Sequence, residues 1–382
     1  MKKNEIDMPD ISLAEKEPKT FRKLLMEYWE ETSVTYKCPT SLFALDDAIN
    51  GGWPAGKIVV LAGIPGIGKT TFALCAAVAA AKAGYPVMYF STEMSAMQVV
   101  AIIICHILHA VSPDIDISIQ EIKNHLKDDS IRELLCDLSD GILDNLMILD
   151  ASEWEHTVDE IATLAEKFLP KGKKREGKSP LIIVDFLQQL HSASTTAHYL
   201  SQKEILDNAV DSLKITALDY NATVLLLSAI HRDYYDSQSP IPLQALYGSG
   251  AIDYAMDLIL TMRMHWSSPT FSSVSAMSTN VRDIDMTIVK QKDGPIGQTI
   301  RLAFDAKHCA FEELNSGKEL PGVSAADASA DSRYEDHIDS FLYSNDEMVE
   351  VSDSLGSSKR NDDYDPCEDL FFGDVTMKET DL

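Results

Sequence analysis

Five short runs of β-branched, aliphatic and aromatic residues, at 58–62, 87–91, 146–149, 181–185 and 223–228, alternate with longer stretches whose apolar positions recur at helical spacing. Strand, loop and helix repeating in that order predict an α/β sheet. The runs are apolar at nearly every position instead of every second one. That pattern predicts strands covered on both faces, as in a parallel sheet wrapped by helices. Three later runs, 258–262, 285–290 and 299–304, read as further strands. The last two are joined by the turn-forming stretch Lys292-Asp293-Gly294-Pro295-Ile296-Gly297, which predicts an antiparallel extension at the sheet edge.

The ends of the chain follow other patterns. Residues 1–18 are polar and charged, whereas Phe21, Leu24, Leu25, Tyr28 and Trp29 recur on one helical face. A short amphipathic helix is expected there, and the flexible stretch 33–39 lets it fold back on its own core or dock on a neighbouring subunit. Beyond about residue 320 the chain is rich in Asp, Glu and Ser without sustained periodicity. Such a segment buries too little apolar surface to offset its ordering entropy, so a disordered acidic tail is expected. The chain thus divides into an N-terminal segment (1–36), an α/β domain (37–314) and a tail (315–382).

Composition narrows the function classes. The 382 residues, 45% hydrophobic and 24% charged, suffice for one large core with tails. No run resembles a signal peptide or reaches the roughly 18–20 apolar residues of a membrane span, so a cytoplasmic protein without a membrane partner is expected. A net charge of −27 argues against a protein that coats duplex DNA with its outer surface, because Lys and Arg supply most non-specific affinity for phosphate. The last 56 residues, with 17 acidic and 4 basic side chains, carry −13 of that charge. The body is acidic too, so any DNA site must be a local basic lining. The run KGKKREGKS at 171–179 reads as a solvated loop, with a nucleic-acid patch as the alternative. Cys38, Cys75, Cys105, Cys136, Cys309 and Cys367 form no CxxC pair and suggest neither a zinc site nor a disulfide framework. His106 and His109 could form a metal pair, but no third ligand stands nearby in the sequence, and a core helix is the simpler reading.

One segment carries recognisable chemistry. Gly63, Ile64, Pro65, Gly66, Ile67, Gly68, Lys69 and Thr70 match GxxxxGK[ST] at every fixed position, follow a predicted strand and lead through Thr71 into a predicted helix. In this arrangement backbone N–H groups and the helix N-terminus cradle ATP phosphates, Lys69 neutralises their charge and the Thr70 hydroxyl can ligate Mg2+. A second carboxylate at a strand end is needed on the metal side, and Asp185 closes the apolar run 181–184. Glu93 stands just past the run 87–91, whose strand is expected beside the P-loop strand. It is placed to orient an attacking water, or equally to serve as an acidic residue at the start of the next helix.

Further motifs follow in a specific order: Phe90-Ser-Thr-Glu93-Met-Ser95, Leu181-Ile-Ile-Val-Asp185-Phe-Leu-Gln188, Ser249-Gly-Ala-Ile252 with Asp257, and Lys290-Gln-Lys292-Asp-Gly-Pro-Ile-Gly297 with Arg301-Leu-Ala-Phe304. Over about 270 residues the chain resembles the motor domain of DnaB-type replicative helicases. The resemblance implies a RecA-like fold in a homo-oligomeric ring, usually hexameric, with ATP between subunits and single-stranded DNA in the channel. It implies that Glu93 is the catalytic glutamate and that Lys290 and Lys292 reach a neighbour's γ-phosphate. Fewer than about 40 residues precede the motor, so the usual N-terminal primase-binding domain is expected to be missing.

Three positions depart from the family pattern. Lys292 replaces the usual arginine and keeps the charge without the planar fork. Ala229 replaces a glutamine thought to sense the γ-phosphate, and Tyr247 replaces a channel-loop arginine, offering a ring for stacking but no charge. The leading expectation is an ATP-dependent helicase or single-strand translocase moving loops 191–203 and 243–250 along DNA. The alternatives are a RecA-fold regulatory or loader ATPase that does not unwind, and a recombinase. In the tail, 362–373 mixes acidic and aromatic residues and could dock a replication partner or compete with DNA, although a solubilising tail is the commoner role.

Overall fold

The computed structural model describes residues 20–23, 25, 37–111, 116–125, 143–169, 178–191, 202–235, 239–246, 255–266 and 277–314. Outside them lie Leu24, Tyr28 and Trp29, residues 171–177, most of the loop 191–203, Tyr247, the motif 249–252 and the tail from 315. The chain separates into two units, Met1–Tyr36 and Lys37–Leu382. In the first, residues 21–23 and 25 are helical, and the Lys23 amide donates to Thr20 Oγ1 at 3.3 Å.

The second unit is built on one nine-stranded sheet: β1 (Ile58–Gly63), β2 (Val87–Ser91), β3 (Leu146–Leu149), β4 (Leu181–Asp185), β5 (Thr223–Ala229), β6 (Leu258–Met264), β7 (Val281–Gln291), β8 (Thr299–Asp305) and β9 (Ala310–Glu313). Their order across the sheet is β3-β2-β4-β5-β1-β6-β7-β8-β9. The first six in that order pair in parallel, and β7, β8 and β9 continue antiparallel. The predicted mostly parallel sheet with an antiparallel edge is therefore the observed one. The short closing strand β9 was not anticipated, and β7 begins four residues before the apolar run, because its start, exposed Val281 and Asp283 around half-buried Arg282, lacks an apolar pattern.

Continuous burial explains the continuous apolar runs: all six residues of β1 are buried, as are four of five in β4. Helix α2, following α1 (Phe43–Ala48), spans Lys69–Lys82 and buries every residue from Phe72 to Ala81. Its alanines are good helix formers, and their small side chains let the backbone approach the sheet closely. Helix α3 (Ala96–Val111) adds a branched-aliphatic face, and α4 (Ile119–His125) follows. Helix α5 (Val158–Phe168) is amphipathic, and its N-cap Thr157 accepts from the Glu160 amide. The 19-residue α6 (Gln202–Tyr220) precedes β5.

One expectation is corrected. β2 does not lie beside β1; β4 and β5 stand between them, and β1 is flanked by β5 and β6. Asp185 likewise ends a strand one place removed from β1, with β5 intervening. The connection from β1 through α2 leaps over two places that later strands fill. Sequence neighbours are usually spatial neighbours, but strands apolar on both faces carry no pattern that encodes their order.

Candidate active site

β1 ends at Gly63 and α2 begins at Lys69, so the loop between them turns from sheet to helix in five residues. Ile64 and Ile67 are buried anchors, while Pro65 and Gly66 face outward. Gly66 and Gly68 have φ of 75° and 107°, backbone conformations that side chains rarely tolerate. A Cβ on Gly68 would also stand 3.0 Å from the rings of Phe304 and Phe311. These two rings stack at 4.6 Å, and Phe311 meets Phe72 of α2 edge-on at 5.7 Å. The antiparallel edge of the sheet thus supports the P-loop from behind.

The sequence-predicted residues Lys69, Thr70, Asp185 and Glu93 converge here. Lys69 Nζ donates to the carbonyls of Gly63 (2.9 Å) and Ile64 (3.0 Å). Burial lowers the Lys69 ammonium to about 8, against the opposing pull of Asp185 and Glu93. Burial raises Asp185, opposed by hydrogen bonds from Tyr89 and Thr70 and by the charge of Lys69. Tyr89 donates to Asp185 Oδ2 at 2.6 Å, and its own hydroxyl is pushed well above the usual tyrosine value by burial and by that carboxylate. Glu93 is exposed beside them, held by its neighbour Thr92, whose amide and hydroxyl both donate to the Asp185 carbonyl at 2.7 and 3.0 Å. Position 229, where the family pattern has glutamine, pairs directly with Gly63.

Lys290 and Lys292 are not part of this cluster. Lys290 pairs with Ile259, and Leu258 of the same strand pairs with Val59 near the start of β1. Lys292 therefore sits at the opposite end of β1 from the P-loop, about 16 Å away along five strand residues. There its Nζ donates to Asp257 Oδ1 at 2.8 Å.

Two contributors were missed. Arg282 Nη1 donates to the Gly66 carbonyl at 2.7 Å, and its guanidinium lies over the Phe304 ring at 5.6 Å. A lone arginine 216 positions downstream of the loop carries no local signal. Tyr89 did carry one: a hydroxyl in an otherwise apolar buried strand needs a polar partner. His106 stands in the core-helix setting, with Nδ1 3.4 Å from Cys75 Sγ, and burial lowers it to about 4. His109 stacks on His308 at 4.7 Å. Among the described residues no group of three or more His, Cys, Asp or Glu is arranged to hold a metal ion.

Fold and site together define a RecA-like P-loop ATPase core. More narrowly, the chain belongs to the DnaB-like helicase C-terminal domain family, whose model matches residues 38–313. It is 26% identical over 273 residues to a probable replicative DNA helicase of Trieres chinensis, covering 69% of this chain and 55% of that one. It is 24% identical over 278 residues to the replicative DNA helicase DnaB of Leifsonia xyli subsp. xyli, covering 72% of this chain and 56% of that one. The chain spans about half the length of the curated relatives it matches. Among solved structures, a DnaB-like replicative helicase described together with its interactions with primase superposes with a TM-score of 0.59 at 23% identity, covering 77% of this chain and 67% of that one.

Proposed function

We propose that the chain is the motor of an ATP-driven DNA helicase or single-strand translocase, hydrolysing ATP between copies arranged in a ring, with six copies as the expected number. One observation carries this reading beyond family membership. The phosphate-loop residues and carboxylates stand at one end of β1, and Lys292 stands at the other. A single copy therefore holds half of a hydrolytic site at each end, and a head-to-tail neighbour would complete it.

Lys69 would exchange the carbonyls of Gly63 and Ile64 for β- and γ-phosphate oxygens. The meeting of the Thr70 hydroxyl with the Asp185 carboxylate offers hard oxygen donors of the kind Mg2+ prefers, so these two residues would hold that ion. When bound, Mg2+ would neutralise phosphate charge. Glu93 would orient the attacking water and accept its proton. Lys290 and Lys292 of the adjacent copy would stabilise charge developing on the transferred phosphoryl group.

The test is steady-state ATP hydrolysis with and without single-stranded DNA. Turnover should rise with DNA, and Glu93→Gln should bind ATP while losing about 100-fold or more of that turnover. Turnover indifferent to DNA would instead support a regulatory or loader ATPase. That second reading is favoured by Ala229, which places a methyl group beside Gly63 where a γ-phosphate-sensing amide would stand.

A further inference from the structure

The end of the sheet opposite the P-loop holds a second charged cluster. Asp257 is only 5% exposed, yet its carboxylate is shared by three lysines and an amide. Lys214 of α6 pairs with Oδ2, Lys292 donates to Oδ1 at 2.8 Å, the Ile58 amide donates to Oδ2 at 3.0 Å, and Lys57 lies 3.9 Å from Oδ1. Lys57 also faces Asp293 at 3.4 Å. Burial pushes the Asp257 carboxyl up, but the bonds from Lys214, Lys292 and Ile58 outweigh it and hold the group below the usual carboxylate range. The Lys292 amide is fixed on the Asp257 carbonyl at 3.0 Å, so only the side chain of Lys292 is at liberty to move. That side chain is 44% exposed, against 28% for Lys214.

A buried carboxylate with one cation resists losing it, because an unpaired buried charge is strongly destabilising. With Lys214 retained, Asp257 keeps a close partner when Lys292 leaves, so departure costs little; Lys57, 3.9 Å away and nearer to Asp293, is too weakly engaged to replace Lys214. We propose that Asp257 is a positioning residue that stores Lys292 in the resting protomer, and that Lys214 is the reserve cation which lets Lys292 turn to the neighbouring subunit's γ-phosphate. This rests on the reading above, in which Lys292 acts on a neighbour.

The test measures kcat and KM for ATP in the 382-residue chain with single-stranded DNA. Lys214→Met should trap Lys292 on Asp257, lowering kcat by at least about tenfold with little change in KM or assembly, and Lys214→Arg should preserve turnover. Adding Asp257→Asn to Lys214→Met should restore kcat, because the neutral amide no longer holds Lys292. A merely structural cluster would make the two losses add, and that result overturns the proposal, as does an unchanged kcat in Lys214→Met. Lys292→Ala, alone and mixed with Lys69→Ala, separates the two levels. If Lys292→Ala keeps full turnover, action on a neighbour fails and this inference with it. If turnover collapses and mixing restores it while Lys214→Met stays fully active, the function stands and the storage role alone is wrong.

Discussion

Lys69 stands in a pocket that disfavours its charge, since burial brings it from an ordinary 10.5 to about 8. Between those values the unfolded chain binds more protons than the folded one, so this group makes the nucleotide-free protein more stable as pH rises from about 8 to 10.5. Polyphosphate has the opposite preference, because it favours the ammonium form. ATP affinity should therefore be flat below about pH 8 and weaken by roughly tenfold per unit above it, and Lys69→Arg should remove that slope. Binding titrations between pH 7 and 9.5 would detect it; a flat profile in the unaltered chain would contradict the assignment of this lysine to phosphate. At this scale, residues whose chemistry is bound to local spacing were legible: GxxxxGK[ST] located Lys69 and Thr70, and the strand-end carboxylate located Asp185. Arg282 was not, because its partner Gly66 follows β1 and is brought near by the pairing of β1 with β6 and of β6 with β7.

At the scale of elements, the P-loop depends on strands far from it in sequence. The rings of Phe304 in β8 and Phe311 in β9 occupy the space beside Gly68, whose φ of 107° already excludes most side chains. Gly68→Ala should cost about 1–3 kcal/mol from backbone strain alone, with additional ring displacement weakening ATP binding. Thermal unfolding with and without nucleotide would read both effects; an unaltered Tm would mean that the edge does not brace the loop. Eight of nine strands could be placed from apolar runs: burial on both faces writes itself into β1, β2, β4, β5 and β6, whereas β3 is half-buried, β7 is buried only in its middle and β8 buries alternate residues. β9 escaped because its four residues, Ala310-Phe311-Glu312-Glu313, are half-buried or exposed and mix charge with one aromatic ring. Strand order escaped as well, since β2, β4 and β5 present equally apolar faces and any of them could have flanked β1.

At the scale of the whole molecule, the charge of −27 per chain opposes assembly. If copies join into a ring, their mutual repulsion is long-ranged and screened by salt, with a Debye length near 30 Å at 0.01 M and about 8 Å at 0.15 M. Sedimentation velocity should therefore show more assembled protein at 0.15 M salt than at 0.01 M. Binding of single-stranded DNA should follow the reverse trend, because it releases counterions. Assembly that weakens with added salt would mean that local attraction at the interface outweighs the global charge.

The rigid sheet that separates the P-loop from Lys292 also sets how activity depends on abundance. On the proposed reading, a solitary chain resembles a plug and a socket mounted at opposite ends of one bar, unable to mate with each other. Specific activity would then climb with protein concentration and vanish on dilution, even with ATP saturating. The cell would need no inhibitor to keep scattered copies from consuming nucleotide: scarcity itself would hold them idle until enough gather on a strand.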